Sequence, residues 1–181
     1  MQTIQRTTVI AMLALSWLSG IAHAQRTYDF DPDELEDATK WKEVATKLPP
    51  YPKPENAREY DPGPTSDNRA FIDMVSLGQG KDGVVRLALV VKSPQGALNV
   101  TFEGFRCRTG ERKTYGYGRK DGTWSQARNA QWVKTFSNSA QPHYTVLARD
   151  FLCVDKDTAV SFNDVLSRIK RGTKAVADAP F

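Results

Sequence analysis

The chain has 181 residues, 40% of them hydrophobic, and its 25 lysine and arginine residues outnumber 21 acidic residues to give a formal net charge of +4. That length suits one domain with a conventional hydrophobic core. Two histidines and two cysteines are too few for a zinc site once the cysteines pair. Beyond the amino terminus, no apolar run approaches the roughly 18 to 20 residues of a membrane-spanning helix.

The amino terminus has the three parts of a secretory signal peptide. Arg6 supplies the basic start, residues 9–18 form a short apolar run, and Ala22-His23-Ala24 is a typical cleavage site. We therefore expect residues 1–24 to be removed after Ala24 and the mature chain to reach the periplasm without a transmembrane anchor. An uncleaved amino-terminal anchor is the alternative.

Residues 25–67 differ in composition from the rest of the chain. They hold eleven acidic residues against six basic ones and seven of the ten prolines. The run Pro49-Pro50-Tyr51-Pro52-Lys53-Pro54 forbids a helix and imposes extended backbone. We predict an acidic, proline-rich extended arm, which either lies on the surface of the domain or stays mobile.

A globular domain is predicted at residues 68–172, with a flexible tail at 173–181. Its apolar and β-branched runs of strand length occur at 71–75, 84–91, 98–102 and 114–118. Asp82-Gly83 between the first two runs is a good hairpin signal. The second run is apolar on both faces except at Arg86, which is typical of a central and largely buried strand.

The carboxy-terminal part of the domain is predicted to be helical. In residues 161–172, Ser161 is a helix cap, Gly172 is a terminator, and a single face carries Phe162, Val165, Leu166 and Ile169. Residues 144–152 fit either a strand or a helix. The fold class is therefore predicted as α+β, an antiparallel β-meander of about 4–6 strands with a carboxy-terminal helix packed on it.

The two cysteines, Cys107 and Cys153, lie in the predicted mature chain. An even count without CxxC spacing favours one structural disulfide in an exported protein over a redox or metal site. Two buried free thiols are the alternative.

The motifs that suggest cofactor or metal chemistry each lack a residue or an element that the chemistry requires. Residues 78–83 spell GxGxxG, but a β-branched strand follows where a dinucleotide site needs a helix, so we predict an ordinary hairpin. Asp29, Asp31 and Asp33 have the spacing of the first three ligands of an EF-hand calcium loop. The sequence lacks the glycine required at the sixth position of that loop and the glutamate required at the twelfth. His143 has no nucleophile motif beside it. We predict no catalytic, cofactor-binding or metal residues.

The strongest functional signal is a basic, aromatic segment at residues 103–134, which holds eight basic residues against three acidic ones. Arginine and aromatic side chains on adjacent strands can grip an anion and stack on rings. The candidate contact residues are Arg106, Arg108, Arg112, Tyr115, Tyr117, Arg119, Trp124 and Arg128. A solvated sheet face with partly paired charges is the plainer interpretation.

The arm and the basic segment carry opposite charge, which suggests that the arm shields the segment until a ligand displaces it. Outside the cytoplasm, the expected partner is an anionic glycan, a lipid head group or a protein, and no nucleic acid is expected.

Several stretches together resemble the cryptic-neisserial-protein-like family of exported bacterial proteins. They are Leu48 to Asn56, Phe71-Ile72-Asp73, Gly80 to Arg86, Val90 to Ser93, Phe102-Glu103-Gly104, Arg106-Cys107, Asp121 to Trp124, Ala127-Arg128-Asn129 and Arg149-Asp150-Phe151. The resemblance runs from about Trp41 to Gly172 and implies a Gram-negative periplasmic or envelope setting. It implies no activity and no functional residues.

Two functions follow as hypotheses. The first is a non-enzymatic binding or scaffolding domain of the cell envelope that contacts an anionic partner through a basic, aromatic sheet face. The alternative is a hydrolase or transferase acting on an envelope polymer through paired carboxylates, for example Glu103 with Asp73 or Asp150.

Overall fold

The structure is a computed structural model that describes residues 40–135, 141–153 and 162–175. The chain divides into two compact units, residues 1–40 and 41–181, and the fold described below is that of the second. The predicted signal peptide and the acidic residues 29–37 lie outside the described residues. Within these ranges, no helix is long and apolar enough to cross a membrane.

The described residues form one antiparallel sheet with the strand order β7-β6-β5-β4-β2-β1-β9, in which β3 also pairs with β4 and β8 also pairs with β6. The strands are β1 (Ala57–Tyr60), β2 (Arg69–Asp73), β3 (Gly78–Gln79), β4 (Val85–Lys92), β5 (Leu98–Arg106), β6 (Glu111–Gly118), β7 (Trp124–Gln126), β8 (Val133–Lys134) and β9 (Lys174–Ala175). The predicted α+β meander is confirmed, with the four predicted strands forming its centre and short strands extending its edges.

The central hairpin joins β4 to β5 through eight residue pairs. Every residue of β4 except Lys92 is buried, including Arg86, as the two-sided apolar pattern predicts. The β3–β4 hairpin turns at Gly83, whose φ of 76° is a left-handed conformation that favours glycine. The GxGxxG spelling is thus a hairpin.

Helices cover one face of the sheet, which we call the helix face. They are α1 (Pro142–Val146), a π-helical continuation (Leu147–Leu152) and α2 (Phe162–Gly172). The ambiguous residues 144–152 are therefore helical, because their buried side chains recur every three to four positions. The core contains Ile72, Leu87, Leu89, Leu147 and Ile169, each fully buried. The predicted cap Ser161 lies outside the described residues.

The predicted disulfide between Cys107 and Cys153 is confirmed. Cys107 opens a short 3-10 turn directly after β5, and Cys153 directly follows the π-helical segment. The bridge therefore ties the helical layer to the centre of the sheet.

Two strands lie outside the predicted domain boundaries of 68 and 172. β1 pairs with β2 along its whole length, and β9 pairs with β1 at Arg58 and Glu59. Residues 57–60 therefore belong to the sheet rather than to an arm, and residues 174–175 extend it beyond the predicted end. Such short, partly charged strands show too few alternations to stand out in a sequence.

The opposite face of the sheet is covered by residues 41–51, which contain neither helix nor strand. We call this segment the strap and the face beneath it the strap face. A small apolar cluster of Ala57, Phe71, Val90 and Val100 lies on this face, with Tyr51 and Trp124 packed against it. The described part of the predicted arm thus lies on the domain.

Candidate functional site

The structure does not bring the eight predicted contact residues to one surface. Arg106, Tyr115 and Trp124 contact the strap or the side chains beneath it, whereas Arg112 reaches the helix face. Tyr117 pairs with Thr101 and is half exposed, and the remaining three arginines lie in exposed turns at Arg108, Arg119 and Arg128.

A β-bulge explains part of this division. The register between β5 and β6 shifts between Phe102 and Glu103, so that Thr114 pairs with Glu103 and Gly116 with Phe102. Simple alternation would place Tyr115 and Tyr117 on one face. The extra residue at the bulge instead sends the two rings to opposite faces of the sheet.

The strap is anchored at one end by a buried ion pair. Arg86 donates to both carboxylate oxygens of Asp82, at 2.6 and 3.0 Å, and both side chains are at least nine-tenths buried. The backbone N–H of Val44 donates to Asp82 Oδ2 at 2.8 Å, while Arg86 Nη2 donates to the carbonyl oxygen of Val44 at 3.3 Å. The indole of Trp41 also donates to the carbonyl oxygen of Asp82 at 2.9 Å. The ion pair therefore binds both backbone groups of one strap residue.

Asp82 is held ionised by this arrangement. Burial alone would raise its pKa, but the Arg86 guanidinium and the backbone N–H groups of Val44 and Val84 lower the pKa to about 2. The sequence pattern around Asp82 indicates only a turn residue. The signal that identifies it is Arg86, because an arginine in an otherwise apolar central strand needs a buried carboxylate partner.

A second anchor is the carboxylate of Glu43. It accepts hydrogen bonds from Lys113 Nζ at 2.7 Å and from the Trp132 indole at 3.2 Å. Burial opposes its ionisation, but these donors, led by Lys113, lower the pKa of Glu43 below its usual value. Beside it, the Arg106 guanidinium lies 3.9 Å from the centre of the Trp41 ring. Cations and indoles of the basic segment thus hold an acid and an aromatic ring of the strap.

The far end of the strap packs on the β6–β7 hairpin. The Trp124 indole donates to the carbonyl oxygen of Pro49 at 2.8 Å, and the Tyr51 hydroxyl donates to that of Arg119 at 3.1 Å. Gly116 leaves room for Leu48, since a Cβ at position 116 would lie 2.7 Å from Leu48 Cδ2. The strap therefore spans the sheet from β3 to β7.

On the helix face, the fully buried Glu103 is the centre of a polar cluster. Its carboxylate accepts hydrogen bonds from Thr114 and from the Tyr144 hydroxyl, each at about 2.9 Å, and lies 3.7 Å from Arg112 Nη1. Arg112 also lies over the Tyr144 ring at 3.8 Å and donates to Gln141 at 2.6 Å. Burial and the Glu103 charge raise the pKa of Tyr144 well above its usual value. The cluster joins α1 to β5 and β6.

The carboxylates proposed to pair with Glu103 are placed differently. Asp73 shares the strap face with Phe71 by alternation along β2, so it lies on the other side of the sheet. Asp150 is exposed and pairs with Arg149 at 2.6 Å. Glu103 thus has Arg112 as its charged partner, which favours a structural cluster over acid and base work.

His143 is buried in α1 beside Tyr144, with its ring centre 4.2 Å from that of the tyrosine. Among the described residues, its Nδ1 atom has no hydrogen-bond partner. Burial, assisted by the positive charge of Arg112, lowers the pKa of His143 to about 4. The imidazole is therefore neutral at physiological pH. The described ranges contain no group of three or more His, Cys, Asp or Glu side chains placed to hold a metal ion.

Comparison with known proteins places the chain in a family. A sequence model described as the CNP1-like family matches residues 36–170, a range that includes the strap and nearly all of the sheet. The chain is 28% identical over 120 residues to Cryptic neisserial protein 1 of Neisseria gonorrhoeae, covering 58% of this chain and 59% of that relative. It therefore spans less than two thirds of the relative's length. No solved structure matches. The family match covers most of the sequence and confirms the predicted resemblance: the chain belongs to the CNP1-like family.

Proposed function

We propose that this protein is exported to the periplasm and works there as a non-enzymatic binding or scaffolding domain of the cell envelope, with the strap face as its contact surface for an anionic partner. Export is supported by the tripartite amino terminus that ends at Ala24. A disulfide is also typical of proteins in oxidising compartments such as the periplasm.

The observation that carries the binding role is the state of the strap face. Lys113 and Trp132 already bind a carboxylate, that of Glu43, which comes from the chain itself. Arg106 stacks on an aromatic ring of the same segment. A surface that binds an acid and a ring within the molecule has the groups needed to bind them in a ligand.

Binding to defined anions tests this role. The full chain is mixed with vesicles containing an anionic phospholipid, with an acidic polysaccharide and with an acidic peptide, and bound protein is measured by co-sedimentation or fluorescence anisotropy. We expect at least one anion to bind, with an affinity that falls as salt rises. The variant R106Q/K113Q should lose this binding, whereas R119Q/R128Q, which removes the same charge from exposed turns, should keep it.

Equal binding by both double variants would remove the strap face from the proposal, and binding of none of the three anions would remove the anionic partner.

Export is tested separately by fractionation of cells and mass measurement of the protein. We expect a periplasmic product that begins at Gln25. A full-length product retained with membranes would instead show an uncleaved anchor.

A further inference from the structure

The strap face binds the strap through its backbone as much as through its side chains. Asp82 and Arg86 bind the N–H and the carbonyl oxygen of the same residue, Val44, at 2.8 and 3.3 Å. Val44 is 44% exposed. A third backbone group, the carbonyl oxygen of Pro49, accepts from the Trp124 indole. These three contacts require a peptide backbone and are largely indifferent to the side chain at position 44.

Two side-chain contacts add selectivity. Glu43, one residue before the doubly bound amide, places its carboxylate on Lys113 and Trp132. Two residues earlier than Glu43, the Trp41 ring lies over Arg106 and meets Trp132 edge-on, with ring centres 5.8 Å apart. The combination is an aromatic residue, a spacer, a carboxylate and then a backbone amide bound on both sides.

We infer that the strap face is a peptide-binding site for an extended segment of another protein that carries an aromatic residue two positions before a carboxylate, and that the strap occupies this site as a built-in competitor. This inference rests on the proposed binding function and names its ligand class. A lipid head group or a glycan supplies the anion for Lys113 but lacks the adjacent N–H and carbonyl that Asp82 and Arg86 bind. The chemistry on this face therefore favours polypeptide over both.

The strap can be displaced because it lacks ladder hydrogen bonds. Residues 41–53 form no strand, and their contacts with the sheet come from side chains and isolated backbone groups. Lys42 and Lys47 are exposed. An attached segment competes at an effective concentration of about millimolar, so a free peptide must overcome it or the strap must first be weakened.

A labelled peptide of residues 40–53 tests the inference by fluorescence anisotropy against the full chain. The variant W41A/E43Q weakens the contacts of the strap with the sheet. The variant K42Q/K47Q, which changes exposed strap positions, is the matched control. We expect the peptide to bind the weakened chain at least about tenfold more tightly than either the wild type or the control, because the competing strap is released.

Backbone recognition is tested with two modified peptides. N-methylation at Val44 removes the N–H that Asp82 binds and should weaken binding about tenfold or more. N-methylation at the exposed neighbour Ala45 should cost much less. Equal loss in both peptides, or no loss in either, would overturn recognition of the Val44 amide.

The remaining outcomes are also decisive. If hydrogen exchange shows the strap released in W41A/E43Q and the peptide still does not bind, the inference fails. Binding of vesicles or acidic polysaccharide without the peptide would leave the proposed function standing and overturn the peptide ligand. Sedimentation could instead show a dimer in which each chain inserts its strap into the other. The occupant would then be a second copy of this chain, and the inference of a different partner protein would be overturned. Should the variant unfold, excess peptide added to the wild type must accelerate exchange of the Val44 amide, or the inference fails.

Discussion

The two faces of the sheet are covered in different ways. On the helix face, buried apolar side chains such as Leu87 and Leu147 make the main core, and a fully buried carboxylate, Glu103, is enclosed by its partners. On the strap face, an irregular segment is held by the Asp82–Arg86 pair and by Glu43. The helices on the first face are apolar and continuous with the core, whereas the strap on the second face is narrow and held by polar contacts. The helices and the strap should therefore open at very different free energies.

The largest expected effect concerns the helix face. E103A leaves the Arg112 guanidinium and the Tyr144 hydroxyl without their buried carboxylate, and should lower the free energy of unfolding by about 3–5 kcal/mol in urea denaturation. E59A is the control, because Glu59 forms an exposed pair with Arg69. The control should cost less than about 1 kcal/mol. Similar losses in both variants would show that the Glu103 cluster does not hold the helical cover.

Removing the disulfide is the next largest perturbation. The bridge closes a loop with a sequence separation of 46 residues. C107S/C153S should lower the free energy of unfolding by about 3–4 kcal/mol, because the unfolded chain regains the entropy of the open loop. Val44 and Asp82, which accepts the Val44 N–H, are both outside this loop, so the local opening of the Val44 amide in hydrogen exchange should be unchanged. Faster strap opening in this variant would mean that opening of the strap is coupled to the packing of the helices on the other face.

The pH dependence of stability should report on His143. Its pKa is about 4 in the folded chain and near 6.5 when unfolded, so the unfolded state binds the extra proton between these values. The stabilisation is fully present above pH 6.5 and is lost as pH falls toward 4, by about 3 kcal/mol. H143Q should remove this slope in urea titrations between pH 7 and 5, above the range in which the carboxylates titrate. A slope that persists in H143Q would assign it to another group.

The smallest expected effect is on the strap. E43Q weakens the contact with Lys113 and Trp132 and should lower the local stability of the strap by about 1 kcal/mol, measured by exchange of the Val44 amide, without changing global unfolding. K47Q, an exposed strap position, should change neither. Because the pKa of Glu43 is lowered from 4.5, its stabilisation is present above pH 4.5 and is lost as pH falls through the folded pKa. A loss of global stability in E43Q would show that the strap unfolds together with the core.

Sequence patterns predict the centre of this molecule better than its surfaces. The two-sided apolar run of β4, the amphipathic pattern of α2 and the cysteine pair led to the correct fold class, since each depends on local periodicity or composition. The strap contacts depend on sequence separations of about 40 to 90 residues, such as Glu43 with Trp132, and leave no periodic signal. The bulge at Phe102 and Glu103 likewise places Tyr115 and Tyr117 on opposite faces, where simple alternation would place them on one.

Three of the motifs that carry the family resemblance, Leu48 to Asn56, Gly80 to Arg86 and Asp121 to Trp124, meet at the strap. Asp82 and Arg86 bind Val44, and Trp124 binds the carbonyl oxygen of Pro49. Read singly, these motifs indicate turns and a proline-rich segment. Only their positions in the fold show that they meet across one face of the sheet.

Native-state hydrogen exchange of the wild-type chain tests the central claim most directly. It compares the amide of Val44, bound by Asp82, with that of Leu89 in the buried centre of the sheet. If the strap is a separable occupant, the Val44 amide will exchange by local opening at a free energy several kcal/mol below that of Leu89, and denaturant will change its exchange little. If both amides exchange at the same free energy with the same denaturant dependence, the strap opens only with the whole domain and is not a separable occupant of the strap face.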